Sequence, residues 1–486
     1  MTVPENRVRA RNDEPIREGG ELVLYWMIAA RRARHSFALE RAVEHAAALR
    51  LPLVVLEPLR VGYRWASDRI HCFVIEGMAE NARRFAETNA IYHPYVEPTP
   101  GAGKGLLEAL MARAAVVVTD DFPTFFLPRM VSVAAARSPV RFEDVDGNGL
   151  YPMRATDRVF TTAASFRRHL QKTLRDHLDA FPAADPLAAV TIPEGSLPRE
   201  IAARWPRASE ALLAGDPRAL AALPIDHGVP VSPIRGGAAM AEEALDRFVD
   251  RGLARYAEER SDPDADASSG LSPYLHFGHL SVHEVFTRLA SRARWTTKKL
   301  EAKAHGSREG WWNMGVAEDA FLDEIVTWRE IGFNLCAHRD DHDRFDSLPT
   351  FARVTLAEHA ADPRPVVYSR ADLEAARTGD PVWNAAQRQL LREGRIHNYL
   401  RMLWGKKVIE WSRTPEEALD TLIELNNRHA LDGRDPGSYS GIFWVFGRYD
   451  RAWGPEREIF GKVRFMSSEA TRRKVRMREY LARFGR

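Results

Sequence analysis

Cysteine is almost missing from this chain: Cys72 and Cys336 are the two in 486 residues. Two thiols so far apart build no disulfide framework, and they suit a reducing compartment. Net charge is almost missing too, since 69 basic against 67 acidic residues leave +2. No whole-molecule field therefore announces nucleic acid, although a local basic patch is compatible with that total. Membrane-length apolar runs are lacking: ELVLYWMIAA is too short to span a bilayer and stops at RRAR. The opening MTVPENRVRARNDEPIREGG is polar and mixed in charge, and is expected to be a flexible tail over residues 1–20 rather than a secretory leader. No internal repeat is visible. Tryptophan is what the chain has in excess: twelve of them favour aromatic stacking, a bound flat ligand, or both.

Residues 21–180 read as an α/β domain. Short apolar runs (LVLYWMI, LPLVVLEPL, IYHPYVE, AVVVTDD and VRFEDVD) alternate with helical patterns at Ser36–Leu49, around Ile70–Asn89 and at Gly105–Arg113. That alternation predicts a Rossmann-like, mostly parallel sheet. TDDFPTFF follows one such strand and is either a ligand-facing loop or an ordinary connection. Residues 181–235 turn to Pro, Ala and charge and are predicted to link the domains. Strand signals nearly vanish after Glu242, so residues 236–486 are expected to form an all-α domain.

Three motifs invite functional readings that their spacing refuses. GAGKG at 101–105 lacks the glycine spacing and the hydroxyl residue of a phosphate loop. DPDADASSG, from Asp262, has Ala267 and Pro273 where a calcium loop needs Gly and Glu. HRDDHD at 338–343 has no further ligands to complete a metal shell. No G-x-S-x-G nucleophile elbow stands out, and no metal is predicted.

The chain's organising stretch runs from Trp383 to Trp453. WNAAQRQLLREGRIHNYLRMLWGKKVIEW reads as a polar connection followed by a long helix. Trp404 and Trp411 are seven residues apart, which puts them on one helical face about 10.5 Å apart along the axis. Indoles so placed can pass an electron, with Trp383 as a further member. NNRHALDGRDPGSYSG carries Asn426, Asp432, Arg434 and Asp435, either as a turn or as an amide and carboxylates around a heteroaromatic ring. FLDEIVTWREIGFN reads as an amphipathic helix with Glu324 and Trp328 on one face. That acid either lies half-exposed on the indole or meets a donor on a ligand. SGLSPYLHFGHLS offers a helix start at Ser272, suited to capping or to a phosphate. The end, GKVRFMSSEATRRKVRMREYLARFGR, is a solvated basic helix or a phosphate-contacting one.

LSPYLHFG, the ExxxWRE of Glu324–Glu330, WNAAQ with RIHNYLRMLWGKKVIEW, LDGRDP, GIFW, DRAWG and FGKVRFM occur in that order over about residues 256–474. This set resembles the class II cyclobutane pyrimidine dimer photolyases of the photolyase/cryptochrome family. YWM at 25–27 and VVTDD are weaker echoes. The resemblance implies an α/β antenna-type domain and an all-α domain binding FAD. It implies light-driven transfer of one electron from reduced FAD to a pyrimidine dimer flipped out of UV-damaged duplex DNA. Tyr256, Leu271, Ser272, Leu275, Arg401, Asn426, Asp432 and Asp435 would then line the flavin, with Asn427 an alternative to Asn426. Glu324 would hydrogen-bond the dimer, and Trp328, Met402 and Trp444 would wall it. Arg260, Arg451, Trp453 and Arg464 would fill or flank the gap in the duplex, and Trp404, Trp383 and Trp411 would reduce oxidised flavin.

An antenna chromophore, a deazaflavin or a folate, is a further implication without assigned contacts. The resemblance also implies a monomer working in the cytoplasm on the nucleoid. Two segments depart from the class pattern: WVFGRYDRAW, which leaves the role of Asp450 open, and residues 120–175. A photoreceptor without repair activity, (6-4) photoproduct repair, and a non-photochemical nucleotide enzyme are the competing readings.

Overall fold

The computed structural model describes residues 2–188 and 190–485. They fall into two compact units. The first comprises Met1–Thr156, Leu174–Leu245 and Leu271–Arg294; the second comprises Asp157–Thr173, Asp246–Gly270 and Trp295–Arg486. The chain thus divides differently from the expected order of tail, 21–180, linker 181–235 and 236–486. The Pro/Ala-rich stretch belongs to the first unit, and residues 157–173 belong to the second.

In the first unit β1 (Val8–Ala10), β2 (Leu22–Trp26), β3 (Leu53–Leu59), β4 (Ile91–Val96), β5 (Ala114–Asp120) and β6 (Arg141–Val145) form one sheet. Its order is β1-β6-β5-β2-β3-β4. All pairs are parallel except β1 with β6. Every residue of β2 and of β5 is buried, as Val- and Leu-rich strands covered on both faces require. Helices α1 (Phe37–Leu49), α2 (Asp68–Phe85), α3 (Leu106–Met111) and α4 (Leu127–Arg137) complete the α/β pattern. Ser36 caps α1 by accepting from the Leu39 N–H at 3.2 Å.

Within the stretch expected to be a flexible tail, Val8–Ala10 form a strand of the sheet. Val8 lies opposite Val145 in the sheet, and Val3 and Arg7 are buried. Three of the charges in this stretch, on Arg7, Arg9 and Arg11, are turned inward, while Glu5, Asp13, Glu14 and Glu18 are exposed. Arg9 meets Asp144 at 2.6 Å and Asp121 at 3.3 Å, and Arg11 meets Asp144 at 3.0 Å.

Strand order reverses between β2 and β5, where open α/β sheets place ligands. Asp120, at the start of TDDFPTFF, fills that position itself. Its carboxylate accepts from the Tyr25 hydroxyl at 2.8 Å and from the N–H groups of Ile28, Ala29 and Ala30 at 2.9, 2.8 and 3.0 Å.

The second unit is helical. It contains α5 (Ala163–Thr173), a π turn at Phe248–Gly252 leading into α6 (Leu253–Glu259), and α7 (Val316–Leu322). A second π turn, Asp323–Trp328, leads into α8 (Arg329–His338). Then come α9 (Pro381–Glu393), α10 (Asn398–Trp411), α11 (Pro415–His429) and α12 (Pro436–Val445). A cap followed by proline starts three of these helices. Asp380, Thr414 and Asp435 accept from the Val382, Glu417 and Gly437 N–H groups at 3.0, 3.1 and 2.7 Å.

Two expectations about helices change. WNAAQ is not a connection, because Asp380-Pro381 opens a helix that runs through it until Gly394 ends it in the left-handed region at φ 73. FLDEIVTWREIGFN is not one regular helix, because the π turn interrupts it at Glu324.

Candidate active site

The three indoles come together across two helices. Trp383, from α9, stands parallel to Trp404 of α10 at 6.4 Å between ring centroids and an interplanar angle of 8°. It meets Trp411 edge-on at 5.5 Å. Trp383 therefore bridges the two-turn gap between the indoles of α10. All three are buried, and Trp383 is 0% exposed. The Trp383 N–H donates to the Trp404 carbonyl at 3.0 Å, and the Trp404 N–H to Gln387 at 2.8 Å, so both rings are held in fixed orientation.

A polar group forms around the start of α10 and the loop after α11. Arg401 pairs with Asp432 at 2.8 Å, yet its buried Nε has no partner among the described residues. Both ring nitrogens of His397 are likewise buried without partners among the described residues. Burial takes the His397 pKa down to about 4, so the ring is neutral at pH 7, with one donor and one acceptor on offer. Asn427 is committed to the fold: it accepts from the Arg434 N–H at 2.9 Å and donates to the Tyr439 hydroxyl at 3.2 Å. Asn426 donates to Ser438 at 2.8 Å and to Asn427 at 3.2 Å. Asp435 is the cap of α12.

The two π turns frame a second cluster. Tyr256 and Arg260 follow the first turn, and Glu324 lies in the second. Arg260 pairs directly with Glu324 and sits 5.5 Å from the centroid of the Tyr256 ring. Burial works against the Arg260 charge, but Glu324 outweighs it and raises the pKa. Burial, with Glu324 adding, raises that of Tyr256. π turns recur at functional sites because they re-aim side chains that an α-helix would place elsewhere. Trp328 and Met402 are half-buried.

The third cluster is a ladder of alternating rings and cations. Arg464 lies 5.5 Å from the Trp444 centroid and 4.0 Å from that of Trp453, and Arg451 covers Trp453 at 4.7 Å. Asp450 ties the ladder together: it pairs with Arg464 at 3.0 Å and accepts from the Trp453 indole at 3.1 Å. The WVFGRYD departure thus still supplies an organising carboxylate. Its Arg448 is buried against Phe443 at 3.8 Å and bonded to His342 and Ser347, which is a structural role.

Below Trp444 lies Lys406, 1% exposed, with Nζ on the Val445 carbonyl and 5.4 Å from the Trp444 centroid. Burial takes its pKa down to about 7; Asp450 opposes the shift and Arg464 adds to it. Below pH 7 folded and unfolded chains both hold the proton, and the burial penalty is fully felt. Above it the folded form releases a proton that an unfolded lysine keeps to about 10.4. Stability should therefore rise with pH across that window, by on the order of a few kcal/mol. Lys406→Met is expected to melt higher than the parent at pH 6 and to lose that advantage by pH 9.5. A melting difference independent of pH would contradict this.

Leu271, Ser272 and Leu275 fall in the first unit, at the short helix Ser272–His276. Ser272 is its first residue, not its cap; Leu271 holds the cap position without a side-chain bond. The basic C-terminal end is largely matched by acids: Arg476 with Asp262 at 2.5 Å, Arg473 with Glu469 at 3.3 Å, and Arg483 with Glu393. Sequence reasoning missed His397 and Lys406. Both lie inside a quoted motif, and only their burial distinguishes them.

No family model matches the chain. A relative of nearly equal length does: the Deoxyribodipyrimidine photo-lyase of Methanothermobacter thermautotrophicus is 34% identical over 478 residues, 98% of this chain and 97% of the relative. The chain belongs to the photolyase/cryptochrome family. The Deoxyribodipyrimidine photo-lyase of Potorous tridactylus is 31% identical over 98% of this chain and 84% of its own length. A bacterial class III photolyase from Agrobacterium tumefaciens, known from a crystal structure, shares the fold with a TM-score of 0.65. The match covers 96% of this chain and 86% of that one at 18% identity. Photolyase-family proteins are flavoproteins, and the unpartnered nitrogens of His397 and Arg401 fit such a ligand. Buried polar atoms without partners are rare in a finished fold, and a polar heteroaromatic group would satisfy them.

Proposed function

We propose that the chain repairs cyclobutane pyrimidine dimers in duplex DNA with light, as a class II member of its family, working as a monomer with FAD in the second unit. The observation that carries this reading is a buried three-indole chain in the same unit as the Arg260–Glu324 pair and the Trp444–Arg464–Trp453 ladder. When bound and reduced, FAD supplies blue-light absorption and the single electron that opens the cyclobutane ring. Arg401, Asp432, Asp435 and Tyr256 would hold it. Asn426 would face it, because Asn427 is spent on Arg434 and Tyr439. The roles that the resemblance gives Leu271, Ser272 and Leu275 remain with the resemblance.

Extruding a damaged base costs a few kcal/mol, which aromatic walls and a plug in the duplex offset. Trp328, Met402 and Trp444 serve as walls, and Arg451, Trp453 and Arg464 as the plug, with Arg260 beside it. Glu324, oriented by Arg260, shares a proton with a dimer carbonyl as charge develops there. Asp450→Ala should free Arg464 and Trp453 and reduce the preference for damaged over undamaged duplex several-fold in a binding titration; an unchanged preference would remove Asp450 from the plug.

The test begins with the absorption spectrum of the purified protein and ends with loss of dimers from a thymine-dimer duplex under blue light. Flavin bands with repair support the proposal, and a further band reports an antenna. Flavin photoreduction without preference for damaged DNA points to a cryptochrome-like photoreceptor. Repair of (6-4) photoproducts instead of dimers changes the substrate. A colourless protein overturns the reading.

A further inference from the structure

WVFGRYDRAW and residues 157–173 of the other departing stretch, 120–175, meet in the second unit. Residues 157–173 are tied there at three points. Arg167, on α5, holds Asp323 with a two-pronged ion pair at 2.6 and 3.0 Å, with both side chains less than a tenth exposed. Asn334 of α8 accepts from the Phe160 N–H at 3.3 Å and donates to the Arg158 carbonyl at 3.0 Å. Thr162 forms an isolated parallel bridge with Tyr449. Tyr449 is itself buried in the left-handed region at φ 63, with its hydroxyl 3.4 Å from the Ile331 carbonyl.

Asp323 opens the π turn and is the residue before Glu324. Tyr449 lies between Trp444 and the Asp450 that organises the ladder. One segment therefore reaches the two turns that carry the acid and the aromatic wall. A buried ion pair adds little net stability over an apolar pair, so its value here is geometric. An Arg–carboxylate fork fixes direction as well as distance, which a point charge does not.

We propose that Asp157–Thr173 is a positioning strut for the repair reaction: Arg167, through Asp323, sets the turn that presents Glu324, and Thr162 joins the strut to the turn after Trp444. The inference rests on the reading of Glu324 as the dimer's partner. It makes Arg167 a positioning residue that touches neither substrate nor cofactor.

The experiment is a double-mutant cycle on the full-length, FAD-loaded, photoreduced protein, with a thymine-dimer duplex as substrate. Arg167→Lys keeps the charge and loses the fork. Flavin content, photoreduction rate and dimer affinity should stay at parental values, while repair yield falls roughly two- to fivefold. Arg167→Lys combined with Glu324→Ala should repair no worse than Glu324→Ala alone, a non-additivity that a merely structural role would not produce. Parental yield in Arg167→Lys, or additive losses in the pair, overturns the strut. If Arg167→Lys does not fold, Arg167→Met with Asp323→Leu removes both buried charges together, and the same cycle with Glu324→Ala decides by the same criteria. A parent that repairs no dimer overturns the proposed function and the strut together; a parent that repairs, with losses additive in the cycle, overturns only the strut.

Discussion

Trp383→Phe is expected to abolish photoreduction of oxidised flavin while leaving repair by chemically pre-reduced protein intact. The indole of Trp383 is the middle member of the chain, 6.4 Å from Trp404 and 5.5 Å from Trp411. Those two stand on α10 about 10.5 Å apart along the axis. Without the middle ring, an electron must cross roughly twice the gap, and phenylalanine is too hard to oxidise to serve as a stepping stone. Trp404→Phe should act similarly, and Trp411→Phe less, because the inner pair survives. The substitution leaves a void at a fully buried site, at a cost of about 1–3 kcal/mol. A lower melting temperature with normal flavin content is therefore part of the expected result. Photoreduction at the parental rate, or loss of repair in pre-reduced protein, would contradict the assignment.

Glu324→Ala should lower repair yield by roughly tenfold, the worth of one charged hydrogen bond, while flavin stays bound. Its side chain is 25% exposed and that of Arg260 is 30% exposed. The stranded guanidinium can therefore turn to water, and stability should change by no more than about 1 kcal/mol. That separates the effect from misfolding. Glu324→Gln keeps the shape and a hydrogen bond but not the charge, so a yield between those of Ala and parent would tie the function to charge as well as position. Dimer loss at the parental rate in the Ala protein would take Glu324 out of the mechanism.

How much of this was legible in the sequence depended on whether the information was local. The five main strands could be read as short apolar runs, and three of them, β2, β3 and β5, are Val- and Leu-rich and almost wholly buried. Helix starts such as Asp380-Pro381 and Asp435-Pro436 carry their own signal, although the first was misread as a connection. The motifs over 256–474 named candidate site residues, but not which of them meet. That Trp383 bridges Trp404 and Trp411 depends on packing between two helices. The π turn at Glu324 has no sequence mark, because the same residues would suit a regular helix. Lys406 and Lys407 are adjacent and locally equivalent; one is buried on Val445, and the other pairs with Glu410 at 2.6 Å. Residues 157–173 lie in a stretch that departs from the class pattern, and nothing local in it says which unit it joins. The charges of residues 1–20 suggested solvent because their partners, Asp121 and Asp144, lie more than a hundred residues away.

Asp120 has a consequence for what the first unit can accept. Three backbone N–H groups after β2 form a nest for an anion, and the chain supplies that anion covalently. A phosphate arriving from solution would have to displace a carboxylate that never diffuses away and is also held by Tyr25. The sheet keeps the architecture of a nucleotide receptor while its anion seat is permanently taken. Any chromophore bound to this unit must therefore dock by its rings or at another edge, and cannot dock by a phosphate at the switch point.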